Sequence, residues 1–423
     1  MKLSQVHNVS VGFGALGLLL MPFSTGLEDG LVVPLGLPFL MAAVLLNFGS
    51  LRSLFQSQQD FGILIQVGLM LALWVLVTTS IAPSPFVSLY RAVVFFLGFL
   101  FAVWILDISR NPNHFLLIVK SLLLGGVIIS CHYIGNFAYK GEVFGFELAI
   151  LQRFGGGLVA LPWGVSNSIG GTLLLVLLAY FCFRPLIGKN WGIFVLLICT
   201  LALFLTFSRT SILLLLLAYL FMVLPTLRKD NLFITVFSLT IMVLLLATGA
   251  ALLAATDSSA FEELLASRFD DENVNGLGGR VEIWQDRIRD LPDKFFFPNG
   301  YYSSLEEYDG VTAHSYLITT GLEQGALGLA LSGLFGWALF SFFGKLNFPR
   351  LSSYAHPQFR FLWIVVFANI FVEDIIVVHQ YCIYFWTLFG LTVAHHQRFL
   401  NMKNDPIRSS IYPQNGRSQT SVT

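Results

Sequence analysis

About twelve long apolar stretches dominate this sequence and constrain its fold more than any other feature. A helix that crosses the hydrocarbon core of a bilayer needs about 20 apolar residues, within a range of about 17 to 25. Lipid tolerates only helices or closed barrels, and these stretches lack the period-two alternation of barrel strands. The sequence therefore predicts an all-α polytopic membrane protein without strands. The candidate spans lie at 9–25, 31–48, 61–79, 88–106, 114–135, 160–183, 191–207, 211–226, 232–254, 315–343, 360–378 and 380–396.

Composition supports a membrane protein and excludes several function classes. Charged residues make up 11% of the chain and hydrophobic residues 56%, whereas soluble domains carry about 25% charged residues. The net charge is zero, so no overall field favours nucleic acid. The four cysteines form neither a CxxC pair nor a Cys/His cluster, which favours packing roles over metal binding. No phosphate-binding glycine motif is present, so we expect no nucleotide, no cofactor and no metal.

Lys and Arg concentrate in alternate short connections, beginning with those that hold Arg52 and Arg110. Cytoplasmic loops are rich in these residues, so the pattern predicts a multi-pass inner-membrane protein with both termini in the cytoplasm. The predicted organisation is nine transmembrane helices in 1–254, a large periplasmic loop at 255–313, helices ten to twelve in 314–398 and a disordered cytoplasmic tail at 399–423.

The predicted periplasmic loop is acidic, with thirteen Asp or Glu against five Lys or Arg and therefore a net charge of −8. Short amphipathic helices are predicted in it at 261–268 and 280–290, because apolar residues recur there at three- and four-residue spacing. Its acidic clusters lack the ligand spacing of a divalent metal site, which favours a solvated surface.

Arg209 is the sharpest local anomaly. It stands between two apolar stretches that only Ser208, Arg209 and Thr210 separate, on the side predicted to be periplasmic. An arginine within the bilayer costs at least about 2.5–3.5 kcal/mol and usually marks a function. The functional interpretation is anion binding by a guanidinium at a helix start. The alternative is an arginine that reaches the lipid headgroups.

Two further positions in the loop can carry chemistry. Arg280 lies one helical turn before Trp284 and two before Arg287, so the three can share one helix face; the alternative is a solvated amphipathic helix. His314 is the only histidine of the loop region and stands directly before an apolar span. Histidine is the commonest general base, and the alternative here is an ordinary residue at a helix start.

Two other charged positions are more ambiguous. Arg153 is a second arginine on the predicted outer side, and anchoring at the membrane surface is its plainer interpretation. The pair Glu373–Asp374 falls where the last outer turn is expected. Solvent-exposed capping charge is the plainer interpretation of this pair, and contact with a sugar or a catalytic partner is the alternative.

Taken in order, these motifs resemble the O-antigen ligase and polysaccharide polymerase superfamily over about residues 150 to 390. The matching features are LTFSRT around Arg209, Arg280-x-x-x-Trp284 in one long outer loop, and His314-Ser-Tyr-Leu317 followed by Gly325-Ala-Leu-Gly328. Members of the family often carry Asn after the histidine, where this chain has Ser315.

The resemblance implies a metal-independent, inverting membrane glycosyltransferase that uses an undecaprenyl-diphosphate-linked glycan on the periplasmic face. Arg209 and Arg280 would hold the diphosphate and His314 would accept the proton of the acceptor hydroxyl, with Arg153, Trp284 and Ser315 as possible auxiliary residues. The acceptor would be lipid A–core in a ligase, which we favour, or a second lipid-linked glycan in a Wzy-type polymerase. Two rival classes stay open: a flippase for lipid-linked oligosaccharides, and a non-enzymatic assembly partner.

Overall fold

The chain folds into a bundle of apolar helices. The computed structural model describes residues 3–26, 32–47, 59–144, 161–162, 164–223, 280–308, 313–344 and 356–404. Its α-helices are α1 (Leu3–Leu20), α2 (Leu37–Leu46), α3 (Gln59–Thr78), α4 (Pro85–Ile108), α5 (Pro112–Phe144), α6 (Ser166–Phe183), α7 (Lys189–Thr206), α8 (Arg209–Val223), α9 (Arg280–Lys294), α10 (Ser304–Glu307), α11 (Tyr316–Gly344), α12 (His356–Val372) and α13 (His379–Asn404).

Six helices of the described part, α3 to α7 and α11, are long and apolar enough to cross a membrane. The shorter apolar helices are α1, α2, α8 and α12. Helices occur at each predicted span that falls on described residues, and the mostly helical membrane protein expected from the sequence is confirmed. The predicted span 232–254 and the predicted helix 261–268 lie outside the described residues, so a total of twelve spans stays a prediction.

Three details of the predicted architecture need correction. Residues Ser24–Gly26 (β1) pair antiparallel with Val32–Pro34 (β2), so the prediction of no strands was wrong there. These residues lie between α1 and α2, where the two segments satisfy each other's backbone polar groups. The second helix accordingly begins at Leu37 instead of 31. The last helix continues to Asn404, past the predicted start of the tail at 399.

The core centres on α6, in which every residue from Ser168 to Phe183 is buried. A helix that is apolar on all sides belongs inside a bundle, and α6 packs against α5, α7, α8 and α13. Helix α13 also lies along α4, where Trp386 makes edge-to-face contacts with Phe95 and Phe99. The two helices joined by Phe207 and Ser208, α7 and α8, do not pack together as a hairpin, because α8 packs chiefly on α12 and α6.

Helix α11 is interrupted at Gly325, whose φ of 67° is non-helical. The interruption leaves the carbonyls of Leu322 and Glu323 free to accept the N–H groups of Asn299 and Gly300, both at 3.0 Å. A Cβ at residue 325 would lie 2.8 Å from the Phe295 carbonyl oxygen, so glycine is required here. The turn at 298–300 is thereby fixed to a membrane helix.

Candidate functional site

Among the described residues, several side chains capable of binding or proton transfer lie around the connection between α12 and α13, residues 373–378. Glu373 is 2% exposed and Asp374 is 7% exposed. The sequence interpretation of this pair as solvent-exposed capping charge was therefore wrong. The connection is folded back among the helix ends instead of projecting into water, so both carboxylates need partners inside the protein.

The carboxylate of Glu373 binds side chains from three other helices. Arg280 Nη2 donates to Oε1 at 2.6 Å, and Thr210 Oγ1 donates to the same oxygen at 3.1 Å. Asn167 Nδ2 donates to Oε2 at 3.1 Å. His314 Nδ1 lies 3.8 Å from Oε2. Glu373 thus brings together the first turns of α6, α8 and α9 and the residue two positions before α11.

Burial and neighbouring charge act differently on the two adjacent carboxyls, which lie outside the helices. Burial opposes ionisation of Glu373, but the His314 ring and the Arg280 guanidinium outweigh it and lower the pKa of Glu373. For Asp374, burial outweighs the opposing effects of the Thr319 hydroxyl and the His314 ring, and it raises the pKa to about 6. Glu373 therefore stays ionised at a lower pH than Asp374 does.

Arg280 is held in place by this carboxylate and does not project freely into solvent. Its side chain is 20% exposed, and Nη1 also donates to the Val372 carbonyl at 3.3 Å. A guanidinium has five N–H donors, so donors remain for a ligand. Sequence analysis singled out this residue but did not anticipate its buried partner.

His314 lies beside Glu373 with its side chain 37% exposed. Its φ of 47° is in the left-handed region, which non-glycine residues rarely adopt. Trp284 Nε1 donates to the carbonyl of the preceding residue, Ala313, at 2.7 Å. Trp284 therefore fixes the backbone next to His314.

Arg209 is the first residue of α8, and its side chain is exposed. The next residue, Thr210, is a hydrogen-bond donor to Glu373, so Arg209 stands at the edge of the same group of residues. The start of a helix offers unpaired backbone N–H groups to anions. The structure therefore brings the first turn of Arg209's helix to the site without an ion pair between Arg209 and Glu373.

The two remaining predicted residues contribute less. Ser315 is buried, and its carbonyl accepts the N–H of Thr319 in the first turn of α11 at 2.9 Å. This contact makes Ser315 a helix-start residue. Arg153 lies outside the described residues, so its role stays a prediction.

Backbone strain is concentrated near this site. In the part of the chain that the structure describes, the non-glycine residues with positive φ are Phe207, Tyr302 and His314. Phe207 immediately precedes Ser208 and the start of α8. Left-handed conformations of such residues cost about 1–3 kcal/mol and cluster at functional sites.

Sequence analysis missed Arg91, which lies within the predicted span 88–106. Its Nη1 donates to the Val377 carbonyl at 2.8 Å, and its guanidinium lies 3.8 Å from the centroid of the Tyr302 ring. Arg91 thereby ties the connection 373–378 to the loop before α10. An arginine inside an apolar stretch was an available signal. No such signal in the sequence marked Asn167 or Thr210, because polar residues at helix starts are common.

A small cavity of about 10 Å³ lies beside Asp374, lined also by Thr319, Thr320, Glu323 and Gln324. Glu323 accepts the N–H groups of Tyr302 at 2.8 Å and Ser304 at 3.2 Å. This buried carboxylate therefore organises the loop before α10. Among the described residues, no group of three or more His, Cys, Asp or Glu is arranged to hold a metal ion.

Part of the chain resembles a known protein family. A family model described as O-antigen ligase matches residues 194–332. This stretch carries an O-antigen ligase domain. The superfamily resemblance predicted from the sequence is therefore confirmed. No curated protein and no solved structure matches the chain.

The O-antigen ligase domain contains Arg209, Arg280 and His314, whereas Glu373 lies beyond its end. The family implies a ligase-like or polymerase-like glycosyltransferase activity on lipid-linked glycans in a bilayer. The residue that binds Arg280 and lies beside His314 thus comes from outside the matched stretch.

Proposed function

We propose that this protein transfers a preassembled glycan en bloc from undecaprenyl diphosphate to an acceptor hydroxyl at the periplasmic face of the inner membrane. The acceptor that we favour is lipid A–core, as in an O-antigen ligase. The single observation that carries the proposal is the convergence on Glu373 of Arg280, Thr210 and His314. This places a cationic group and a base candidate within one buried network.

In the proposed reaction, the acceptor oxygen bonds to the anomeric carbon while its proton passes to Nε2 of His314. This nitrogen is the free one, because Nδ1 faces Glu373. The bond between the anomeric carbon and the diphosphate oxygen breaks on the opposite side, so the configuration inverts. Its electron pair stays on the phosphate as negative charge.

The guanidinium groups of Arg280 and Arg209 stabilise this departing charge in the proposed mechanism. Fixed cationic donors lower the energy of a transition state in which charge develops, and they are stronger where water is excluded. The mechanism therefore needs no metal ion. Transfer by the purified enzyme is expected to be unchanged in EDTA, and loss of activity that a divalent cation restores would contradict this part of the proposal.

The first experiment replaces the base. In a reconstituted assay with lipid-linked donor and lipid A–core, His314→Ala is expected to lower kcat by about 10²–10⁴-fold, the usual contribution of a general base. Donor binding should persist. His132→Ala is the matched control, because His132 is an exposed histidine on α5. Normal transfer by His314→Ala would show that His314 is not the base, whereas a parent protein that moves lipid-linked glycan across the bilayer without transferring it would favour a transport role.

The second experiment compares two arginines of the same helix. Arg280→Ala is expected to weaken donor binding, whereas Arg289→Ala should have little effect because the Arg289 side chain is 79% exposed and pairs only with Asp286. Equal donor affinity in the two variants would refute the assignment of Arg280 to the diphosphate. If only another lipid-linked glycan serves as acceptor, the enzyme is a polymerase.

A further inference from the structure

Glu373 has two candidate cationic partners, and it makes a short contact with only one of them. The distance to Arg280 Nη2 is 2.6 Å, and the distance to His314 Nδ1 is 3.8 Å. A nitrogen–oxygen separation of 3.8 Å is too long for a hydrogen bond. The carboxylate is therefore bound to the arginine, and the histidine lies beside it without a hydrogen bond.

A diphosphate competes with Glu373 for the same guanidinium. Both are anions that suit a planar fork of N–H donors, and a diphosphate carries more negative charge than one carboxylate. If Arg280 turns toward the diphosphate, Glu373 loses its strongest partner while remaining 2% exposed. An unpaired buried carboxylate is costly, so it will take the nearest available donor.

That donor is Nδ1 of His314. The other charged or titratable groups that face the pair are Arg280 and the adjacent Asp374, while Thr210 and Asn167 contribute only neutral donors. His314 has room to move by the small distance required, because it lies in a short connection before α11 and its side chain is partly exposed. No other cation is found on Glu373 among the described residues.

We propose that Glu373 is the positioning residue of His314 and that donor binding transfers its carboxylate from Arg280 to the imidazole. This inference rests on the proposed function of the site. Once Nδ1–H donates to Glu373, the tautomer is fixed and the lone pair of Nε2 faces the acceptor hydroxyl. The proton of that hydroxyl then moves to Nε2. The base is thus oriented only when the diphosphate is already in place.

The test is Glu373→Gln in the full-length enzyme, with steady-state kinetics for the lipid-linked donor over a range of pH. Gln keeps the shape and still accepts hydrogen bonds from Thr210 or Arg280. We expect kcat to fall by about 10²-fold, the scale of general-base assistance. The donor KM is expected to stay equal or to fall, since Arg280 no longer has a competing carboxylate.

The pH profile adds a readout that a purely structural role would not change. Once the carboxylate no longer orients the imidazole, the acidic limb of the kcat profile is expected to differ from that of the parent. Glu307→Gln is the matched control: Glu307 is another carboxylate of the same region, paired with Lys294 at 3.2 Å, and its variant should behave like the parent.

Unchanged kcat and pH profile in Glu373→Gln would overturn the inference, and so would a rise in donor KM with no change in the acidic limb. If Glu373→Gln fails to fold, Glu373→Asp keeps the charge on a shorter side chain. A lower kcat at unchanged donor KM then supports the inference, and parental kcat refutes it. Absence of transfer by the parent enzyme to either acceptor refutes the proposed function itself, whereas an essential His314 with parental kinetics in Glu373→Gln refutes only the positioning role.

Discussion

Replacing the adjacent carboxyls of Glu373 and Asp374 by amides is expected to change the free energy of unfolding in opposite directions near neutral pH. Asp374→Asn is the more informative of the two substitutions. Burial raises the pKa of Asp374 from 3.8 to about 6. The folded state favours the protonated form of Asp374. The resulting stabilisation is fully present below the pKa that Asp374 has in the unfolded state, and it is lost as the pH rises through the pKa that Asp374 has in the folded state. Asn imitates the neutral form at every pH.

The expected gain follows from the two pKa values. The difference is about 2 pKa units at about 1.4 kcal/mol each, so Asp374→Asn is expected to raise the free energy of unfolding by up to about 3 kcal/mol at about pH 8. Water entry into the neighbouring cavity would reduce this value. Below about pH 4, where Asp374 is protonated in both states, the variant and the parent should be equally stable.

The assay is equilibrium unfolding in mixed micelles at several pH values, followed by tryptophan fluorescence. Glu373→Gln is the internal comparison: its native pKa is lowered, so the stabilisation by its carboxylate is present above the unfolded pKa and is lost as the pH falls through the folded one. This variant should be less stable than the parent near neutral pH. Equal stability of Asp374→Asn and the parent at about pH 8, or a difference independent of pH, would refute the reasoning.

Two other substitutions test how the site is held. Trp284→Phe removes the hydrogen-bond donor to the Ala313 carbonyl and is expected to lower the free energy of unfolding by about 0.5–1.5 kcal/mol. It is also expected to lower kcat more than donor affinity. A change in donor KM alone would contradict the role assigned to Trp284. Gly325→Ala places a Cβ 2.8 Å from the Phe295 carbonyl oxygen at a positive φ and is expected to destabilise by about 1–3 kcal/mol, whereas Gly333→Ala on the same helix meets nothing within 4 Å. Thermal unfolding of the two glycine variants compares them directly, and equal melting temperatures would contradict the strain at Gly325.

Much of the helical frame was predictable because lipid permits few structures for long apolar stretches. The placement of His314 directly before a helix, and of Arg280 and Trp284 on one helix face, followed from spacing alone. In the structure, the Arg280 side chain contacts Glu373 and the Trp284 side chain contacts the Ala313 carbonyl.

The centre of the site was not predictable in the same way. A charged pair between two apolar stretches resembles any exposed turn, and Glu373 finds Thr210 and Asn167 at separations of 163 and 206 residues. Periodicity reports on neighbours three or four residues apart, so it carries no information about such contacts. Arg91 was overlooked because its surrounding stretch satisfied the length and apolarity of a span.

The position of Glu373 beyond residue 332 bears on how this domain can be engineered. Residues 194–332 could be exchanged between relatives as a cassette, and they would bring Arg280 and His314 with them. The carboxylate that binds Arg280 and lies beside His314 would remain that of the recipient. A functional chimera therefore needs a recipient whose last two helices supply a buried acid, or a graft that extends through the start of α13.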